Sequence, residues 1–118
     1  MQKVKTNSFS YRQVSYDDGS TYEGEFRGTE RHGFGVYTFD SGEMYGGEWT
    51  NDEMTGQGIY IFMEDGALYQ GDIVRGIKHG RGFYHYSNGN EYTGEWEEDL
   101  KHGEGRFVDV AKGEVYDG

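Results

Sequence analysis

The 118-residue chain carries 22 acidic and 11 basic side chains, a formal charge of -11, and no cysteine. That balance excludes a disulfide-built secreted fold and argues against nucleic acid and broad attachment to anionic lipid, which need clustered Lys and Arg. No apolar run approaches the roughly 18–20 residues of a membrane-spanning helix, and MQKVKTNSFS has no signal-peptide core, so the expected setting is cytoplasmic.

Leu, Ile, Val and Phe together number only 20. Such low content beside high net charge ordinarily marks a disordered chain. Against that stand 11 Tyr, 7 Phe and 2 Trp, since each buried ring removes roughly 150–250 Å² from water. The apolar material of this chain is concentrated in rings.

In chain order, residues 1–21 read as an N-terminal cap, a degenerate half repeat. Counting back from Gly19 as a turn glycine, Tyr16, Val14, Arg12 and Ser10 fall on one face of a strand. Residues 22–44, YEGEFRGTERHGFGVYTFDSGEM, form the first full repeat. Tyr22, Gly24 and Phe26 alternate in a first strand, and Gly33, Gly35, Tyr37 and Phe39 in a second. Residues 45–68 repeat the pattern with Tyr45, Gly47 and Trp49, then Gly56 and Gly58. TNDE joins the two strands there, and EDG closes the hairpin. Residues 69–91 follow with Tyr69, Gly71 and Ile73, then Gly80 and Gly82. Residues 92–115 follow with Tyr92, Gly94 and Trp96, then Gly103 and Gly105. Repeats two and four carry one extra residue before their turn glycines, Gly66 and Gly113, which predicts a bulge or a longer turn. Residues 116–118, Tyr-Asp-Gly, begin a fifth repeat.

Self-similarity at this period signals stacked repeats, and the period of two makes them hairpins. The expected fold is all-β, an elongated single antiparallel sheet of stacked β-hairpins. Glycine normally weakens a strand unless something must approach its backbone. Here the rings of one strand are expected to lie over the bare glycines of the next, in the manner of aromatic rescue.

Little in the pattern points to catalysis. His32, His79 and His102 occupy equivalent positions, nearly 10 Å apart at two strand spacings per repeat, so one metal cannot join them. The GxG elements lack a following helix or phosphate-loop arrangement, and no cofactor is expected. Glu25, Glu48, Asp72 and Glu95 form an acidic ladder, read as a solvated face or a docking strip for a basic peptide. Phe34, Val36, Ile59, Ile61, Phe83 and His85, on the opposite parity, form an apolar strip that is either covered or a partner surface. Arg31, Lys78 and Lys101 are expected to pair with nearby acids. The last strand is expected either to continue into further repeats or to pair with a second copy, through Val115 and Tyr116, in a homodimer.

The pattern YxGxW…HGxG at this spacing resembles the MORN repeat, the "membrane occupation and recognition nexus", from Tyr22 to Gly118. The resemblance implies an elongated, twisted antiparallel sheet. Similar arrays occur in junctophilins, plant phosphatidylinositol phosphate kinases, a SET-domain methyltransferase, ciliary proteins and parasite cytoskeletal scaffolds. It implies a non-catalytic scaffold that presents an aromatic surface to a protein partner, an amphipathic helix or basic peptide, in a cytoskeletal or ciliary assembly. The alternatives are a phosphoinositide-binding membrane tether, which the charge disfavours, and the regulatory repeats of a larger enzyme. Three departures, Thr55 for histidine, Ile73 for the strand aromatic and Asp109 for a ring, are expected to thin the packing locally.

Overall fold

The structure, a computed structural model, describes residues 9–62 and 66–118. The strands are β1 Phe9–Ser15, β2 Thr21–Arg27, β3 Glu30–Thr38, β4 Met44–Thr50, β5 Glu53–Phe62, β6 Ala67–Val74, β7 Ile77–His85, β8 Glu91–Glu97, β9 Leu100–Asp109 and β10 Glu114–Asp117. They form one open antiparallel sheet in sequence order, and no helix occurs among the described residues.

The register explains the periodic glycines. Gly24, Gly35, Gly47, Gly58, Gly71, Gly82, Gly94 and Gly105 lie opposite one another in a single row across eight strands. The neighbouring row runs Val14, Tyr22, Tyr37, Tyr45, Tyr60, Tyr69, Tyr84, Tyr92, Phe107, Tyr116. Tyr22, Tyr45, Tyr69 and Tyr92 lean over that glycine row, so a Cβ at Gly35 would stand inside the Tyr22 ring. Each phenol then donates to the carbonyl three residues on, Tyr22 to Glu25 at 2.8 Å and Tyr69 to Asp72 at 2.7 Å. The ring is buried and its hydroxyl is satisfied, as a buried tyrosine requires.

The half repeat adopts the register counted from Gly19: Arg12 faces Gly24 and Ser10 faces Phe26. Where a repeat has a glycine, the Arg12 guanidinium covers the Phe26 ring at 4.1 Å. The extra residue of repeat four goes into the turn: three residues separate the pair Phe39 and Glu43, whereas four separate Asp109 from Glu114. The EDG turn of repeat two lies largely outside the described residues.

A bulge does occur, but in every repeat and on the other side of the hairpin. Between the pairs Gly24↔Gly35 and Phe26↔Arg31, Glu25 alone opposes His32, Gly33 and Phe34. Gly33 turns left-handed at φ 98 to make room, and Gly56 and Gly80 do the same. The bulged N–H of Phe34 lacks a ladder carbonyl and donates to the Glu25 carboxylate at 2.7 Å. Glu48, Asp72 and Glu95 receive the N–H groups of Gln57, Arg81 and Glu104 in the same way.

Candidate functional site

One face of the sheet carries an unbroken run of rings. Tyr16, Tyr37, Phe39, Tyr60, Phe62, Tyr84, Tyr86, Phe107 and Tyr116 touch in series, with centroids 4.6 to 6.3 Å apart. All but the exposed Tyr116 are half-buried. Beneath them Trp49 meets Tyr22 edge-on at 5.2 Å, and Trp96 meets Tyr69 at 5.6 Å. Each indole N–H donates across the repeat boundary, to the carbonyls of Gly35 and Gly82.

The basic residues sit in this aromatic layer. The Arg31 guanidinium lies 4.8 Å from the Trp49 centroid and 5.3 Å from that of Tyr37, and it pairs with Asp52 at 2.8 Å. Lys78 stands 5.3 Å from Trp96 and pairs with Asp99 at 3.2 Å. Lys101 donates to the Tyr86 hydroxyl at 2.9 Å. Burial works against ionisation of the Asp52 carboxyl, but the Arg31 backbone N–H, guanidinium and charge outweigh it and hold its pKa below the ordinary carboxylate value.

These pairs strap one repeat to the next. Asp52 N–H donates to the Arg31 carbonyl, and Asp99 N–H to the Lys78 carbonyl. His32 Nδ1 accepts the Asn51 N–H at 3.2 Å, and His79 Nδ1 the Glu98 N–H at 3.3 Å. Thr55, expected to thin the packing, instead keeps this link: its hydroxyl accepts the Arg75 N–H at 3.0 Å. Ile73 remains buried in its ring-less position, and half-buried Asp109 accepts the turn N–H of Lys112.

The other candidates lie elsewhere. Val36, Ile59 and Phe83 share one cross-strand row on the opposite face, and Ile61 lies in the next. Phe34 is 65% exposed and Val36, Ile59 and Ile61 about 40%, while Phe83 and His85 are half-buried. The four ladder carboxylates are half-buried and held in their own bulges rather than freely solvated. Val115 and Tyr116 are exposed on β10, which lies at the sheet edge and pairs with β9. Among the described residues no group of three His, Cys, Asp or Glu side chains could hold a metal ion.

Sequence reasoning missed the strap acids. Asp52 and Asp99 each stand three residues after a tryptophan, a signal that a repeat alignment holds but a strand pattern passes over as turn polarity. It also missed two depressions on the aromatic face. One, of about 280 Å³, is lined by Tyr37, Phe39, Trp49, Met54 and Gly76 among others. The next, of about 180 Å³, is lined by Tyr60, Phe62, Ile73, Gly76 and Lys78 among others.

The MORN repeat model matches residues 22–44, 45–63, 69–91 and 92–110, well over half of the chain. No curated protein matches it individually. Both the repeated match and the single sheet of hairpins lead to one conclusion: the chain belongs to the MORN repeat family, whose repeats generally serve interaction with proteins or membranes.

Proposed function

We propose that the chain is a non-catalytic scaffold whose aromatic face receives a partner protein, an amphipathic helix or a basic peptide laid along the sheet. The observation that carries this is the run of nine rings, eight of them half-buried. Aromatic side chains offer large contact area at low entropic cost, and an apolar helix face docks in such grooves. The net charge of -11 favours a basic partner over an anionic membrane. The engagement of Arg31 and Lys78 with their own aspartates leaves less cation for lipid phosphates. A cytoplasmic cytoskeletal or ciliary assembly is the setting we propose, by likeness to other proteins with such arrays.

The test is site-specific photo-crosslinking in cell extract, with a reactive phenylalanine analogue at Phe39 or at Phe34. Crosslinks from position 39, lost when Phe62 is also replaced by Asp, are the expected result. Crosslinks from position 34 alone would move the partner to the opposite face. Sedimentation with phosphoinositide vesicles at physiological salt is the parallel arm. Binding there that disappears when Arg31, Lys78 and Lys101 are neutralised would replace this reading with the membrane tether.

A further inference from the structure

The run of rings is continuous, but the set of cation, acid and indole beneath it is interrupted at one step, and the interruption is coordinated. Arg31, Met54, Lys78 and Lys101 hold equivalent positions at the start of the second strand of each repeat. Between repeats one and two, cation, acid and ring are Arg31, Asp52 and Trp49. Between repeats three and four they are Lys78, Asp99 and Trp96. Between repeats two and three the same three places hold Met54, Gly76 and Ile73. The backbone strap survives, since Gly76 N–H donates to the Met54 carbonyl at 2.9 Å. Only the side chains that would bridge the step are gone.

The two depressions flank this step, the first bordered also by Arg31, Asp52, Glu53 and Arg75 and the second by Lys78 and Asp99. They are the same feature displaced by one repeat: Tyr37, Phe39 and Trp49 in the first become Tyr60, Phe62 and Ile73 in the second. Gly76 lines both. One repeat is two strand spacings, roughly 10 Å. Residues i and i+7 of an α-helix are separated by about 10.5 Å along its axis. A helix running along the sheet therefore meets both depressions with side chains seven residues apart, and the bare backbone at Gly76 lets it approach closely between them.

We propose that this step, which lacks a cation–acid pair of its own, is the specificity socket of the scaffold. It takes two apolar side chains, at i and i+7, of a basic amphipathic helix. The inference rests on the helix-on-aromatic-face reading above and adds to it a position and a register. Charge complementarity over the whole chain, at -11, selects the basic helix, while the cations and acids that line the two depressions balance one another. The other steps hold a cation of the chain itself over the rings, whereas Met54 and Ile73 stand in the places of cation and indole here.

The experiment repairs the step to the pattern of its neighbours in the full chain, with Met54→Lys, Ile73→Trp and Gly76→Asp together. The probe is a synthetic helix of about three heptads, Leu at the a and d positions and Lys elsewhere, beside a shuffled peptide of equal composition. The unaltered chain is expected to bind the patterned peptide in preference to the shuffled one. The repaired chain is expected to melt no lower and to bind at least about tenfold more weakly, a loss of roughly 1.4 kcal/mol. Equal binding by both chains would overturn the socket and leave the helix reading standing. No preference for the patterned peptide by either chain would sink both. Should the triple variant not fold, Gly76→Asp alone decides the matter by the same comparison. Asp already occupies the equivalent turn position at φ 71 in Asp52 and φ 69 in Asp99.

Discussion

At the scale of single residues, the fold depends on a ring lying on a glycine and on a carboxylate closing a bulge. A Cβ at Gly58 would run into the Tyr45 ring, which is fully buried and anchored by its hydroxyl on the Glu48 carbonyl. Gly58→Val is therefore expected to cost about 1–3 kcal/mol through overpacking. Glu48→Ala leaves the bulged Gln57 N–H without its acceptor and is expected to cost about 1–2 kcal/mol, with Glu48→Gln recovering part of it. Chemical denaturation of the three variants checks both, and an alanine variant as stable as the parent would show that the carboxylate closes nothing. The glycine's task was legible in the sequence because alternation alone sets ring against glycine. The carboxylate's was not. Alternation runs straight through Gly33 and Gly35, and only the register reveals that His32, Gly33 and Phe34 oppose the single residue Glu25.

At the scale of the hairpin, the turns that join the two strands of a repeat were legible in the sequence, but not what those turns do. TNDE reads as a polar connection. In the folded chain Asn51 and Asp52 both take positive φ, 49 and 71, which matches a two-residue turn to the right-handed twist of its strands. Asp52 then reaches back to the Arg31 N–H and guanidinium. That reach crosses a repeat boundary, so no reading of one repeat in isolation finds it. Repeat four uses Glu98 at φ 49 where repeat two has Asn51. Left-handed backbone costs an ordinary residue roughly 1–2 kcal/mol, and Asn tolerates it better. Glu98→Asn should raise stability by about 0.5 kcal/mol or more, read as a higher denaturation midpoint at unchanged slope. A lower midpoint would mean that the Glu98 side chain does more than fill the turn.

At the scale of the whole molecule, the substantial contacts run only between strands adjacent in sequence, so stability is a sum over neighbouring repeats rather than the property of one central core. Every repeat contributes a buried tyrosine to that sum, and this ties the array to pH. Burial pushes the phenols of Tyr22 and Tyr45 up to about 12, and it raises Tyr69 as well. Tyr60 also reaches about 12, through burial and then its hydrogen bond to Glu43. An unfolded tyrosine loses its proton near pH 10. Between pH 10 and about 12 the folded chain thus holds protons that the unfolded chain releases, and stability must fall as pH rises through that window. Below pH 10 both states hold them, and this contribution is complete. Each phenolate formed on unfolding also leaves the compact state of a chain already at -11. The expected outcome is a cooperative loss of the β circular dichroism signal beginning above pH 10, accompanied by a burst of tyrosinate absorbance at the same midpoint. Tyr60→Phe removes one of the coupled protons, so the dependence of stability on pH above 10 should be shallower in that variant even if its stability at neutral pH is lower. A smooth titration of all 11 tyrosines near pH 10, with the sheet signal intact, would mean that the rings on the glycine row are not shielded from ionisation.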